Sequence, residues 1–185
     1  MRKAIFLKII LPVLLLATSA IAQTTQPDWH ARLAQAMPLL GHRNWILVVD
    51  SAYPLQISPG VETIETNASQ LDVVRAVLFR INHTTHVSPS IFMDAELPFI
   101  TDADAPGVSV YRMQVDELLH DYKIESLPHE KIISTIDEAG KTFRVLVLKT
   151  NMTIPYTSVF IRLDCKYWTA EQEQRLRAKM GAAAH

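Results

Sequence analysis

A histidine and an aspartate flank a continuous apolar run early in the chain. His42 precedes residues 45–49, which read WILVV, and Asp50 follows them. Such a run is typical of a strand that is buried on both faces of a parallel sheet. Because ligands of open α/β sheets collect beyond the carboxyl ends of the strands, Asp50 is predicted to lie where a site is expected. A histidine can take up and return a proton near neutral pH, and a carboxylate can fix its tautomer.

His42 and Asp50 are too far apart to act together within one straight strand. Eight residues of extended chain span roughly 25 Å at about 3.3 Å each. The two side chains would meet only if the chain folded back, or if another subunit supplied one of them. Two simpler interpretations stay open, in which His42 is a cation near a helix C-terminus and Asp50 caps the loop that it starts.

Two further candidates, His129 and Tyr156, lie later in the chain. His129 follows Pro128 in the first turn of a predicted helix. Tyr156 lies in the segment 149–158 between two predicted strands, and its hydroxyl can both donate and accept a hydrogen bond. The alternatives are an exposed first-turn histidine and a tyrosine that packs its ring at the start of a strand.

Other motifs are sparse. His83 and His86 are three residues apart and could form half of a metal site, but no third ligand lies at a helpful spacing. Cys165 follows an apolar run and is interpreted as a half-buried small residue rather than a nucleophile. The sequence has no glycine-rich phosphate loop, no nucleophile elbow and no zinc-protease motif. We therefore expect neither a metal nor a cofactor.

The elements that must position these residues alternate between helices and strands. Hydrophobic periodicity and cap residues predict helices at 27–40, 70–81, 109–121, 128–139 and 169–180, and strands at 45–49, 61–66, 90–97, 124–127, 143–148 and 158–163. Such alternation predicts a single α/β domain with a mostly parallel mixed sheet flanked by helices. Antiparallel pairing is expected at the end, because the last two strands are close in sequence.

The first 22 residues have the pattern of a secretory signal peptide. They combine a positive start, an apolar stretch that is short for a membrane span, and small residues up to Ala22. We expect an exported protein, periplasmic or secreted, that is not attached to a membrane after cleavage. The mature domain would be residues 23–185, of which 169–185 form an extra C-terminal helix and tail.

Charge and cysteine content limit the function classes. The 185 residues include 18 basic and 19 acidic side chains, for a net charge of −1. Residues 1–22 contain three of the basic side chains and none of the acidic ones, so the mature domain carries a net charge of −4. An acidic chain without a basic block is poorly suited to bind nucleic acid. With one cysteine there is no internal disulfide, so stability must come from the core or from contacts between copies.

Three segments, in the correct order, resemble the ribose pyranase and fucose mutarotase (RbsD/FucU) family. Gly41-His42 with ILVVDSAYP at 46–54 resembles that family's GH and IVIxDAxFP signature. IESLPHEKI at 124–132 resembles its IEYVSHEEF-like stretch, and VLKTNMTIPYTSVFIRL at 147–163 resembles its VIRTGExTPYANIIL segment. The resemblance covers most of residues 27–163 and implies an RbsD-like fold.

The resemblance also implies a function and an assembly. Members interconvert ring forms or anomers of a free monosaccharide, such as ribose or fucose, without a cofactor. By matched position His42 would be the acid/base, Asp50 would bind or orient the sugar and the imidazole, His129 would line the pocket, and Tyr156 and Ser158 would bind sugar hydroxyls. Members form rings of subunits, often decamers, with sites at the interfaces, so neighbouring chains could supply His42 and Asp50 to one site.

The sequence departs from the family at three places. The family's Gly-Glu is Asn151-Met152 here, its lysine four places after the second histidine is Ile133, and its asparagine after the tyrosine is Ser158. These changes keep open a non-catalytic envelope protein, either a monosaccharide-binding or a structural oligomer on the same fold. An enzyme with unrelated chemistry in the same pocket is the third possibility.

Overall fold

The computed structural model describes residues 28–183, so the predicted signal peptide lies outside the described residues. The helices are α1 (Trp29–Ala36), α2 (Gln70–Asn82), α3 (Val108–Leu119), α4 (His129–Thr142) and α5 (Ala170–Ala183). The strands are β1 (Trp45–Val49), β2 (Val61–Glu65), β3 (Val87–Asp94), β4 (Ile124–Leu127), β5 (Val145–Lys149) and β6 (Val159–Cys165). Every predicted helix and strand is present. Of the helices in this part of the chain, none has the length and apolar character to cross a membrane.

The six strands form one mixed sheet in the order β2-β5-β1-β6-β3-β4. β6 is antiparallel to both of its neighbours, and the other pairs are parallel, so five strands point the same way. The predicted fold class is therefore confirmed. The expected antiparallel pairing at the end is present in β6, but its partners are β1 and β3: within residues 28–183 β5 and β6 lie on opposite sides of β1 and do not pair with each other.

β1 lies at the centre of the core because both of its faces are apolar. Ile46 and Val48 pack into a large cluster with α1, α2 and α3, while Trp45, Leu47 and Val49 pack into a smaller cluster with α4. All five side chains are buried. This arrangement is the one that an unbroken apolar run predicts for a central strand.

Both predicted boundaries of α4 differ from the structure. Pro128 is the residue before α4 rather than its first helical residue, and α4 continues past Gly140 to Thr142. Gly140 serves close packing, since its carbonyl accepts a hydrogen bond from Gly60 N at 3.1 Å and an added Cβ would lie 2.8 Å from a methyl group of Val61. The glycine therefore lets β2 approach the helix and does not end it.

Strand direction gives the sheet two distinct edges. The carboxyl edge contains the last residues of β1–β5 and the first residue of β6. The amino edge contains the first residues of those five strands, the last residue of β6 and the turn that carries His42. Loops that follow the parallel strands meet at the carboxyl edge, which is where ligands of such sheets bind.

Candidate functional site

A cavity of about 600 Å³ opens at the carboxyl edge. This volume falls within the range of small-molecule sites, about 300–1,000 Å³. Its walls come from the loop after β1, the end of β3, the first two turns of α4 and the loop before β6. Its lining residues are Asp50, Ser51, Ala52, Tyr53, Pro54, Asp94, His129, Ile133, Thr153, Ile154, Pro155, Tyr156 and Ser158. Polar groups from four segments therefore converge on one cleft.

A histidine–aspartate pair lies in this cavity. His129 Nδ1, at the start of α4, lies 3.0 Å from Asp94 Oδ1, at the end of β3. The Asp94 side chain is fully buried, whereas 35% of the His129 side chain is exposed. When Asp94 is ionised, it accepts a hydrogen bond from the Nδ1–H group of His129. The Nε2 atom is then left to exchange a proton with a ligand. The pair is thus oriented for acid–base chemistry.

Asp94 is held in unusual surroundings for a carboxylate. Burial raises its pKa above the ordinary value, and the hydrogen bond and charge of His129 oppose this effect only in part. Its second oxygen, Oδ2, is buried and has no hydrogen-bond partner among residues 28–183. An unpaired buried acceptor costs about 1–3 kcal/mol, so Asp94 is a residue that the fold keeps at a cost in stability.

A second carboxylate fixes the backbone of His129. Pro128 provides no side-chain cap for α4, and Glu96 takes that role from the loop after β3. Its two carboxylate oxygens lie 3.0 and 3.1 Å from the His129 backbone N–H, which donates to them. A negative group at a helix N-terminus is favourable, so Glu96 holds the first turn of α4 against the loop after β3.

Tyr156 lines the cavity beside His129. Its ring meets the His129 ring edge-on, with centroids 5.3 Å apart and an interplanar angle of 87°. The Tyr156 backbone has a φ of 58°, a left-handed conformation that costs a non-glycine residue about 1–2 kcal/mol. Strained residues cluster at functional sites, because the surrounding structure must hold them in place.

Asp50 and Tyr53 line the side of the cavity that follows β1. Asp50 Oδ1 accepts a hydrogen bond from Ala52 N at 2.8 Å, so Asp50 also caps its own loop. Burial, together with the nearby carboxylates of Asp137, Asp94 and Asp50, raises the pKa of Tyr53 to about 12. The buried Tyr53 hydroxyl therefore stays protonated, and it has no hydrogen-bond partner within the described chain.

The structure brings four of the five predicted site residues together. Asp50, His129, Tyr156 and Ser158 all line the cavity. His42 lies exposed at the amino edge, in the turn before β1, and does not reach the cavity of its own chain. The separation expected from the length of β1 is thus present.

His42 instead lies near a polar cluster at the end of β6. Arg162 forms an ion pair with Asp164 at 3.1 Å, and Ser90 donates to the same carboxylate at 2.5 Å. Burial raises the pKa of Asp164, but these hydrogen bonds outweigh burial and leave the pKa below its ordinary value; the charge of His42 acts in the same direction. Asp164 is therefore a partly exposed carboxylate whose two oxygens both accept hydrogen bonds.

Sequence reasoning missed Asp94, Glu96 and Tyr53. The predicted strand 90–97 extended past Asp94, which hid the fact that this residue ends its strand as Asp50 ends β1. Glu96 follows two residues later and gave no signal of its own. Tyr53 lies within the run ILVVDSAYP, where nothing local indicates that its hydroxyl is buried beside the cavity.

The two histidines considered as half of a metal site have other contacts. His83 Nδ1 lies 2.7 Å from the Phe79 carbonyl oxygen, and His86 Nε2 lies 3.0 Å from the Leu40 carbonyl oxygen. Across residues 28–183, no three His, Cys, Asp or Glu side chains are grouped so that they could hold a metal ion.

Comparisons with solved structures agree with the fold. No protein-family profile and no curated protein sequence matches the chain. RbsD of Bacillus subtilis, solved with D-ribose, is similar over 71% of this chain and 90% of its own, with 17% identity and a TM-score of 0.51. FucU of Bifidobacterium longum has 17% identity over the same shares and a TM-score of 0.49. The fucose mutarotase of Streptococcus pneumoniae, solved with L-fucose, has 18% identity over 78% of this chain and 96% of its own, with a TM-score of 0.46. The expected RbsD-like fold is confirmed: this chain has the fold of RbsD.

Proposed function

We propose that the protein is a cofactor-independent isomerase that interconverts ring forms or anomers of a free monosaccharide. The observation that carries the proposal is the hydrogen bond between His129 and the buried Asp94, in a cavity that also contains Asp50, Tyr156 and Ser158. D-ribose in RbsD and L-fucose in the fucose mutarotase are ligands of proteins on this fold, which supports a sugar as the substrate.

Ring opening of a sugar hemiacetal needs two proton transfers. The anomeric hydroxyl loses its proton as its oxygen forms the carbonyl, the bond from C1 to the ring oxygen breaks, and the ring oxygen takes up a proton. His129 Nε2 is suited to accept the first proton, because Asp94 orients the ring and stabilises the imidazolium that forms. The open aldehyde then rotates about the C1–C2 bond and closes again on the other face or on another hydroxyl.

We assign the second transfer to His42 of a neighbouring copy. His42 is exposed at the amino edge and does not reach its own cavity, whereas a ring of copies could place it against the next cavity. The ring oxygen would receive its proton from this histidine, and Asp50 would orient the imidazole or the sugar. Tyr156 and Ser158 would bind the hydroxyls that do not react.

A second candidate function, sugar binding without catalysis, is favoured by Ile133. This side chain lines the cavity from the second turn of α4, at the place where the family resemblance expects a lysine. An apolar wall there can pack against the carbon face of a sugar but cannot hold a charge. The exported, periplasmic or secreted location remains part of the proposal and rests on the first 22 residues.

Saturation-transfer NMR tests the isomerase. Purified protein is added to D-ribose, L-fucose and a panel of common aldoses, and the exchange rate between ring forms is measured for each. We expect at least one sugar to exchange faster with the protein than without it. Binding of a sugar with no gain in exchange rate would favour the non-catalytic function. If no sugar binds and none exchanges faster, both candidate functions are refuted.

A further inference from the structure

The strained Tyr156 is followed by a buried carbonyl that two side chains hold in place. The Thr157 carbonyl oxygen accepts a hydrogen bond from Gln70 Nε2 at 2.8 Å and a second from the Tyr111 hydroxyl at 2.7 Å. Thr157 is fully buried, and Gln70 and Tyr111 are almost so. Two donors from different helices, α2 and α3, thus fix the chain one residue after Tyr156.

Gln70 is itself anchored to the strands beside the cavity. Its Nε2 also donates to the Val48 carbonyl of β1 at 3.0 Å, and its Oε1 accepts from the Thr150 hydroxyl at 2.6 Å. One side chain therefore ties α2 to β1, to the residue after β5 and to the loop before β6. Every polar atom of the Gln70 amide has a partner, so the group is rigid.

Tyr111 provides the second donor from a buried position on α3. Burial raises the pKa of its hydroxyl well above the ordinary value, so the hydroxyl remains a donor throughout the physiological range. Its ring packs in the large core cluster, which fixes where the hydroxyl lies.

A strained conformation persists only where the neighbouring structure leaves no relaxed alternative. Pro155 restricts the chain on the N-terminal side of Tyr156, because its ring fixes φ. We propose that Gln70 and Tyr111 are positioning residues that clamp the Thr157 carbonyl and so hold Tyr156 left-handed, with its ring against His129. As far as sugar binding is concerned, this inference rests on the proposed function.

The variant that tests the clamp most cleanly is Tyr111→Phe, which deletes one hydroxyl and leaves Gln70 on the carbonyl. We expect the nuclear Overhauser contacts between the Tyr156 and His129 rings to weaken in the protein without sugar. We expect the Kd for the sugar to rise roughly 3- to 10-fold, as for the loss of one hydrogen bond. Tyr122→Phe is the matched control, since that hydroxyl bonds Asn82 far from the cavity.

A coupling measurement separates positioning from a general loss of stability. Tyr156→Gly removes both the strain and the ring, because glycine adopts positive φ readily. In that background Tyr111→Phe should not raise the sugar Kd further, whereas a merely structural effect would add to it. Unchanged ring contacts in Tyr111→Phe, or an equal loss in Tyr122→Phe, would overturn the clamp. A wild-type protein that binds no sugar would refute the proposed function, while the ring contacts would still decide the clamp.

Discussion

Each edge of the sheet carries an aspartate near a histidine, and the two aspartates have opposite surroundings. At the carboxyl edge Asp94 is fully buried, has one oxygen bonded to His129 and has the other without a partner in the described part of the chain. At the amino edge Asp164 is partly exposed, and hydrogen bonds from Arg162 and Ser90 satisfy it. Burial determines the pKa shift of the first carboxyl and hydrogen bonding that of the second, so the shifts have opposite signs.

The difference between Asp94 and Asp164 distinguishes a carboxylate that acts on a neighbouring histidine in a cavity from one that only stabilises the fold. Asp164 gains stability from its partners and has nothing left to offer a ligand. Asp94 costs the fold stability and holds the His129 ring in place at the edge of the cavity. Four predictions test whether the two edges differ in function as their aspartates differ in environment.

The largest expected effect belongs to His129→Ala. If the His129 Nε2 atom accepts the anomeric proton, the exchange rate of the responsive sugar should fall by roughly 10²- to 10⁴-fold. Saturation-transfer NMR measures the rate, and His120→Ala, an exposed histidine at the end of α3, is the control. If the exchange rate of His129→Ala equals the wild-type rate, His129 does not accept the anomeric proton.

His42→Ala tests whether the amino edge of one copy serves the cavity of the next. In assemblies made only of His42→Ala chains, the exchange rate should fall roughly 10²-fold while sugar binding persists. Mixing His42→Ala with His129→Ala chains should restore activity to about a quarter of the wild-type level, because random neighbours then form some intact sites. No recovery in assemblies that have exchanged subunits would mean that His42 does not contribute across an interface.

Asp94→Asn should lower the exchange rate by roughly tenfold or more, because the amide cannot stabilise the imidazolium. Its stability should also respond to pH in a characteristic way. The pKa of Asp94 is higher in the folded state than in the unfolded state, so the protonated carboxyl destabilises the fold least at acidic pH. The free energy of unfolding therefore falls as pH rises through the raised pKa. Denaturant titrations at increasing pH should show a decrease in the free energy of unfolding of the wild type that is absent in Asp94→Asn.

Asp164→Asn should give the smallest effect, with the opposite pH dependence. Its folded-state pKa is depressed, so the wild-type carboxylate stabilises the fold above its ordinary pKa, and that contribution is lost as pH falls. A partly exposed ion pair contributes no more than about 1 kcal/mol. Denaturant titrations measure this difference, and the exchange rate per site should fall less than in any of the three variants above.

The arrangement of elements was largely predictable because each carries a local signal. β1 is apolar at every position and is buried at every position. The Thr169 and Gln172 pair indicated a capping box and forms one, with Thr169 N donating to Gln172 Oε1 at 2.6 Å. Strand order was less predictable, since nothing local states that β6 lies between β1 and β3.

The candidate site was only partly predictable, because its members come from separate loops that the sheet brings together. Asp50 could be placed by the rule for strand ends, whereas Asp94 required the end of β3 to be known within three residues. The role of Glu96 depends on a contact with α4 that lies 33 residues further along the chain. The left-handed conformation of Tyr156 is unfavourable for its residue type, so no propensity could indicate it.

The reversed direction of β6 has a consequence for altering this protein. Because β6 starts at the edge where β5 ends, residues 150–158 link the two strands without crossing the sheet, and they carry Tyr156 and Ser158. Thr150 and Thr157 are the attachment points of this loop, since both are held by Gln70. Between them, Met152 and Ile154 pack against the core, whereas the side chains of Asn151 and Thr153 are exposed. Exchanging these two exposed residues would change one wall of the cavity and leave the strand register intact.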